Sequence, residues 1–328
     1  MSVTLKDIAD RLSVSKMTVS RVLNNRSSDF ITQATRRRVM ETARVMGYTP
    51  NRAAQALATG QTRRIAFLSP SMGLRFFQEV ANRFHQILLE DRYEIVSGEL
   101  DRRTMGSTHP EGLARMGLDG VLMYGGGLGS FVSFKGPIVN MGPHCSEKYD
   151  AVNVDLYPAS RRAVESLLDS GAKRVAHVLT PSTQKELDDR YRGYTGVMRE
   201  RGKETEYILT PDWSRASARQ TIQDYVKEHG CPDGLFCAND DIAIGTYRGL
   251  RDMGISIPEQ VRLIGCDGIE DTEYLDPPLS TIVQPFEDMC ATAWRFLKNR
   301  LKKGTIPRQA ETLEARLMMR EQMEELSK

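Results

Sequence analysis

From Arg64 onward, short apolar runs alternate with helical stretches over about 260 residues, and no other feature constrains the fold as much. The apolar runs are Ile65–Leu68, Glu94–Val96, Gly120–Tyr124, Ile138–Met141, Val152–Val154, Val175–Leu179, Tyr207–Leu209, Gly234–Cys237 and Val261–Gly265. Helical periodicity falls on Phe76–Glu90, Ala159–Asp169, Arg190–Arg201, Arg215–Glu228, Asp240–Met253 and Phe286–Lys302. A strand that returns through a crossover helix runs parallel to its predecessor, and parallel sheets need helices on both faces. The length predicts an α/β body of two doubly wound parallel-sheet lobes. Ligands of such folds sit beyond the carboxyl ends of the strands.

The first sixty residues are different. They carry ten Lys/Arg against four Asp/Glu, a net charge of +6, while the remainder of the chain carries −4. A basic head on a mildly acidic body points to a polyanionic partner for the head alone. Thr4 and Asp7 have capping-box spacing, and Leu5, Ile8, Ala9 and Leu12 then share one helical face. Ser13 and Val14 make a turn, and Ser15 caps a second helix containing Met17, Val19, Val22 and Leu23. A third helix runs from Gln33, capped by Thr32, to Met46, with Gly47 ending it. Three short helices with a tight first turn make an all-α helix-turn-helix head, whose second helix enters the major groove of DNA. In that geometry Lys16, Met17, Ser20 and Arg21 face the bases, and Ser15 and Thr18 suit phosphate oxygens. The plain alternative is a helical hairpin with a solvated polar face.

Pro50 and Gly60 bracket a short helix over Asn51–Ala58 that is marginal alone. Its alanines let two copies approach, and Leu57 then becomes an apolar wedge for a minor-groove base step. The run Thr4–Asn24, followed by Tyr48-x-Pro-Asn-Arg-x-Ala-x-x-Leu-Ala, resembles the amino-terminal pattern of the lactose/galactose repressor family. The resemblance implies base reading by Lys16, Met17 and Arg21 and intercalation by Leu57. Thr4, Asn24, Asn51, Arg52 and Ala54 complete the expected DNA-binding set. The loop Asn25–Ile31 departs from the pattern, being about two residues longer than the family's, which puts phosphate contacts there in doubt.

In the body, polar residues follow the strands: Asn239 and Asp240, Asp267, and Gln284, with Arg190 opening a helix. Trp213 offers a flat face, and Ser69, Ser71, Phe76 and Tyr124 end or follow strands of the first lobe. Each alone also reads as a cap, an ion pair or core. Together Arg190-Tyr-Arg-Gly-Tyr, Ala238-Asn-Asp240, Gly265-Cys-Asp-Gly268 and Asp276-Pro-Pro-Leu-Ser-Thr-Ile-Val-Gln284 resemble blocks of the same family's effector domain, which is periplasmic-binding-protein-like. The resemblance implies effector contacts at Arg190, Trp213, Asn239, Asp267 and Gln284, with Ser71, Phe76 and Tyr124 from the first lobe. Gly142 stands where the family's namesake has an acidic effector ligand and Tyr124 where it has an amide, so galactoside specificity does not carry over. Arg75, His144 and Arg190 leave an acidic or phosphorylated effector open.

The expected domains are a helix-turn-helix over 1–47, a hinge over 48–61, a first lobe of 62–157 with 285–307, and a second lobe of 158–284 with 308–328. The expected function is a repressor of transcription, alternatively an activator, controlled by a sugar or sugar derivative. A stand-alone sugar-binding protein is opposed by the basic head. Gly125-Gly-Gly-Leu-Gly129 fails the dinucleotide-loop spacing because Ser130 takes the last glycine's place. No catalytic motif or cofactor is expected. Five scattered cysteines without a CxxC pair give no metal site. The first twenty residues lack a secretory apolar core, so a cytoplasmic protein without membrane attachment is expected. Only Gln322–Lys328 follow the last strand-like run, too little for a coiled coil, so a homodimer on a pseudo-palindromic operator is expected.

Overall fold

A computed structural model describes residues 3–23, 31–49, 56, 57, 59–99, 116–125, 134–143, 145–184 and 186–320. The chain divides into two units, Met1–Thr62 and Arg63–Lys328.

Among the described residues the first unit includes helices α1 (Leu5–Leu12), α2 (Lys16–Leu23) and α3 (Gln33–Val45). Their ends follow from the caps. The Asp7 amide donates to Thr4 Oγ1 at 3.4 Å and the Thr4 amide donates back to Asp7 Oδ2 at 2.8 Å. Ser13 takes the left-handed conformation (φ 55°) and ends α1, and Ser15 then accepts from the Thr18 amide at 3.0 Å to open α2. Thr32 caps α3 in the same way, accepting from the Thr35 amide at 3.2 Å. Ile8, Ala9, Val19, Val22, Val39 and Ala43 bury together as the core of this unit.

In the second unit the first lobe is built from β1 (Arg64–Ser69), α4 (Arg75–Glu90), β2 (Glu94–Glu99), β3 (Gly120–Tyr124), β4 (Ile138–Gly142) and β5 (Asp150–Asp155). The second lobe follows with α5 (Tyr157–Asp169), β6 (Val175–Leu179), α6 (Asp189–Glu200), β7 (Glu206–Leu209), α7 (Arg215–His229), β8 (Gly234–Cys237), α8 (Asp240–Asp252), β9 (Arg262–Asp267) and β10 (Ser280–Val283). The chain then returns through α9 (Phe286–Lys303), which packs on α4, β3 and β4, and finishes in β11 (Ala310–Glu314) and β12 (Arg316–Met318).

The two sheets have orders β11-β5-β4-β3-β1-β2 and β12-β10-β9-β8-β6-β7. Among the described residues all strand pairings are parallel except that of β12 with β10. Both lobes therefore wind the same way, out from the first strand to one edge and then back to the other. Strands β3, β4, β6 and β8 are buried along their whole length, as expected of strands covered on both faces.

The sequence places residues 308–328 wholly in the second lobe, but Ala310–Glu314 pairs with β5 of the first. The cause lies just upstream. The buried Asp150 carboxylate accepts from Arg300 and from the Gln309 amide, both at 2.7 Å, and this draws the chain alongside β5. Ala315 is then buried between the two short strands. The brief run Thr281-Ile-Val, not read as a strand, is the core of β10.

Helices α7 and α8 cross closely because Gly245 and Gly249 face α7. A Cβ at Gly245 would lie 2.9 Å from that of Ala218 and run into the Arg215 carbonyl. Gly245→Ala is expected to destabilise the fold by about 1–3 kcal/mol through overpacking. The urea midpoint should fall, and an unchanged midpoint would mean that α7 can slide aside at no cost.

Candidate functional site

Two surfaces gather the residues singled out in the sequence, one in each unit. In the head, Val19 and Val22 turn inward, so Lys16, Met17 and Arg21 are left exposed on the outer face of α2, Met17 at 62 %. Thr18 and Ser20 are half-buried. The hydroxyls of Ser15 and Thr18 lie 2.9 Å apart at the helix start, and the Thr4 hydroxyl donates to Asp7 Oδ2 at 2.9 Å. Thr4 and Ser15 thus already serve as caps, and Thr18 is hydrogen-bonded to Ser15. Leu57 is 91 % exposed on helical backbone, with the Gly60 amide donating to the Ala56 carbonyl at 2.8 Å. Asn24, Asn51, Arg52 and Ala54 lie outside the described residues.

In the second unit the strand ends bring three candidates into one chain of hydrogen bonds. The Tyr124 hydroxyl donates to Gln284 Oε1 at 3.0 Å, and Gln284 Nε2 donates to Asp267 Oδ1 at 2.7 Å. Phe76 is buried, with its ring edge-on to Tyr124 at 5.4 Å. Asp267 adopts φ 139°, a backbone that side chains rarely take and that marks functional positions. Burial and the neighbouring Asp240 carboxylate push the Asp267 carboxyl well above its ordinary range, against the opposing pull of Arg190.

Arg190 is only 9 % exposed. Its Nε and Nη2 donate to the two oxygens of Asp188 at 3.0 and 2.7 Å, its Nη1 donates to the Ala238 carbonyl at 2.7 Å, and the guanidinium lies 5.8 Å from the Trp213 ring. Burial raises the Asp188 carboxyl, but the Arg190 charge and its hydrogen bonds prevail, and Asp188 titrates below the usual range.

Two candidates are occupied structurally. Asn239 Oδ1 accepts from the Ile242 amide at 2.8 Å and caps α8. Asp240 is fully buried and accepts from the Gly268 amide at 2.7 Å, the Ile269 amide at 2.9 Å and the Thr281 hydroxyl at 2.6 Å. It ties the start of α8 to the turn that presents Asp267.

Ser71 and Leu74 of the first lobe and Trp213, Arg215 and Asp241 of the second line a cavity of about 360 Å³, whose lining does not include Tyr124, Arg190, Asp267 or Gln284. Arg215 donates to Asp241 at 2.6 Å and to Asp271 at 2.8 Å. Arg75 lies 3.1 Å from Glu79 and 3.2 Å from Asp271. The two described cations that had left an acidic effector open, Arg75 and Arg190, are thus both paired with carboxylates, which weakens that option. His144 lies outside the described residues. Sequence reasoning missed Asp188, Arg215 and Asp241. Asp188 could have been found as the N-cap of α6, two residues before Arg190. The ion pairs of Arg215 span separate elements and leave no local pattern.

Residues 4–51 match the family model described as bacterial regulatory proteins, lacI family, and residues 164–321 match the periplasmic binding protein-like domain. The chain is 27 % identical over 317 residues to the catabolite control protein A of Priestia megaterium, covering 93 % of this chain and 95 % of that protein. It is 26 % identical over 325 residues to the ribose operon repressor of Halalkalibacterium halodurans, covering 97 % and 96 %. In fold it is similar to the lac repressor dimer bound to operator and an anti-inducer, with TM-score 0.82 and 23 % identity over 98 % of this chain and 99 % of that one.

The two cleft carboxylates predict opposite stability effects. Asp188→Asn leaves Arg190 buried without a counter-charge and is expected to cost about 3–5 kcal/mol. Asp267 has a raised folded pKa, so folding favours its protonated form. That contribution is present below about pH 4, the unfolded carboxylate range, and is lost as pH rises toward the folded value. Asp267→Asn should therefore flatten the fall in melting temperature between acid and neutral pH. An unaltered pH profile would show that Asp267 is not strained by ionisation.

Proposed function

We propose that this chain, whose residues 4–51 match the lacI family of bacterial regulatory proteins, is a sequence-specific DNA-binding repressor controlled by a small molecule held between its two lobes. The observation that carries this reading is the exposed set Lys16, Met17 and Arg21 on the second helix of a basic head, joined in one chain to a two-lobed polar cleft. Arg21 is long enough to meet guanine with two parallel hydrogen bonds, and Lys16 meets guanine or phosphate. Met17 adds apolar contact. Leu57, which has almost no protein covering it, suits a wedge at a minor-groove step.

Two copies are needed to read a pseudo-palindrome, so the working form is a homodimer on duplex DNA. The effector is an uncharged sugar or sugar derivative. Ring hydroxyls find acceptors and donors at Asp267, Gln284 and Arg190 and a flat face at Trp213, with which Ser71 shares a cavity lining. Phe76 and Tyr124 close the first-lobe side. A relative named for a ribose operon supports this class. The effector can shift DNA affinity only by the ratio of its own affinities for the two lobe arrangements. The protein acts by binding and not by catalysis. Among the described residues no helix is long and apolar enough to cross a membrane, and a regulator of this family works in the cytoplasm.

Arg21→Ala is expected to cost about 1–3 kcal/mol at the preferred operator and to relax base preference at one position. A uniform loss across all sequences would reduce Arg21 to a phosphate contact. Leu57→Ala should weaken operator binding more than non-specific binding. For the effector, thermal-shift screening of the full chain against sugars, sugar acids, sugar phosphates and nucleobases, with Asp267→Ala as control, should return an uncharged sugar whose shift disappears in the control. A sugar phosphate as the sole hit would overturn the charge argument.

A further inference from the structure

The hydrogen bond from Tyr124 to Gln284 joins the two lobes, since Tyr124 ends β3 of the first and Gln284 follows β10 of the second. We propose that Tyr124 is a built-in clasp: its hydroxyl takes the place on Gln284 that an effector hydroxyl would take, and it holds the lobes closed independently of any ligand. The proposal rests on the cleft being the effector site.

The first lobe fixes the ring before it reaches across. Phe76 and Phe77 pack edge-on against it at 5.4 and 5.0 Å. On another side the ring lies against Gly142, at φ 100°, where a Cβ would sit 2.8 Å from Tyr124 Cζ. A side chain at 142 would push the ring out of the cleft. Burial raises the phenol's pKa, so the hydroxyl remains a donor throughout the physiological range. Gln284 is itself buried and passes the contact on to Asp267, so the clasp ends on the residue with the strained backbone.

A second contact nearby reports on closure. Arg75 is the first residue of α4, where an amide has no acceptor within its own helix. Its amide donates instead to Asp241 Oδ2 of the second lobe at 3.2 Å. That amide is protected only while the lobes are together. An effector hydroxyl that takes the position of Tyr124 on Gln284 Oε1 displaces it, and the affinity of such an effector includes the cost of opening the clasp.

Hydrogen exchange at the Arg75 amide of the full chain, without added ligand, tests the clasp. One buried hydrogen bond of ordinary strength shifts the open-to-closed ratio by about two- to tenfold. Tyr124→Phe, which keeps the ring, should speed Arg75 exchange by that factor and leave the amides of β3 unchanged. Gly142→Ala, which keeps the hydroxyl and displaces the ring, should act in the same direction. Unchanged Arg75 exchange in Tyr124→Phe overturns the proposal. Equal acceleration of the β3 amides also overturns it, because the variant has then loosened the whole lobe. No effector enters the measurement, so failure of the clasp leaves the effector reading standing, and an effector screen without hits leaves the clasp to be decided on exchange alone.

Discussion

Three donors converge on the carboxylate of Asp240 at the start of α8: two backbone amides from the turn after β9 and a hydroxyl from β10. A buried charge is tolerated only when its acceptor capacity is met, and here it is met by the backbone that shapes the cleft. The turn it fastens is the one that carries Asp267. Asp267 in turn orients Gln284, and Gln284 reaches Tyr124 in the other lobe. The placement of the cleft's polar groups thus begins with a residue that is itself fully buried.

The surrounding charges follow a consistent rule. Arg190, Arg215 and Arg75 each meet carboxylates, and the Arg190 guanidinium also lies over the Trp213 ring. With these arginines each paired to carboxylates, the cleft offers directional hydrogen bonds and a ring face in place of an unpaired positive charge. This distinguishes hydroxyl patterns better than it attracts anions. Burial and then the Asp240 carboxylate disfavour the ionised form of Asp267 in the fold.

Most of the fold was legible because its signals are local. The capping pairs Thr4 with Asp7 and Thr32 with Thr35 fix helix starts, and continuous apolar runs such as Val175–Leu179 mark strands buried on both faces. The geometry of the candidate site was legible to the extent that strand ends could be located, which is why Tyr124, Asp267 and Gln284, joined in the structure by hydrogen bonds, stand among the sequence candidates. The roles of Asn239 and Asp240 were not, because a polar side chain after a strand serves equally as a cap or as a ligand contact. Asp241, Arg215 and Asp271 escaped for a different reason: their pairing depends on how separate elements pack. The split of β11 from β12 was hidden because a single intervening residue, Ala315, carries the chain from one sheet to the other.

The return of the chain after β10 bears on how the molecule is made. The first lobe is begun early, but α9 and the edge strand β11 that complete it come after nearly all of the second. During synthesis the faces of β3 and β4 that α9 covers, and the edge of β5 that β11 covers, await residues still to be translated. An uncovered apolar face and an unpaired edge are the usual starting points of misassembly. The second lobe can gather β6 to β10 from one contiguous stretch, so most of it is in place during synthesis before α9 and β11, which complete the first lobe, are translated.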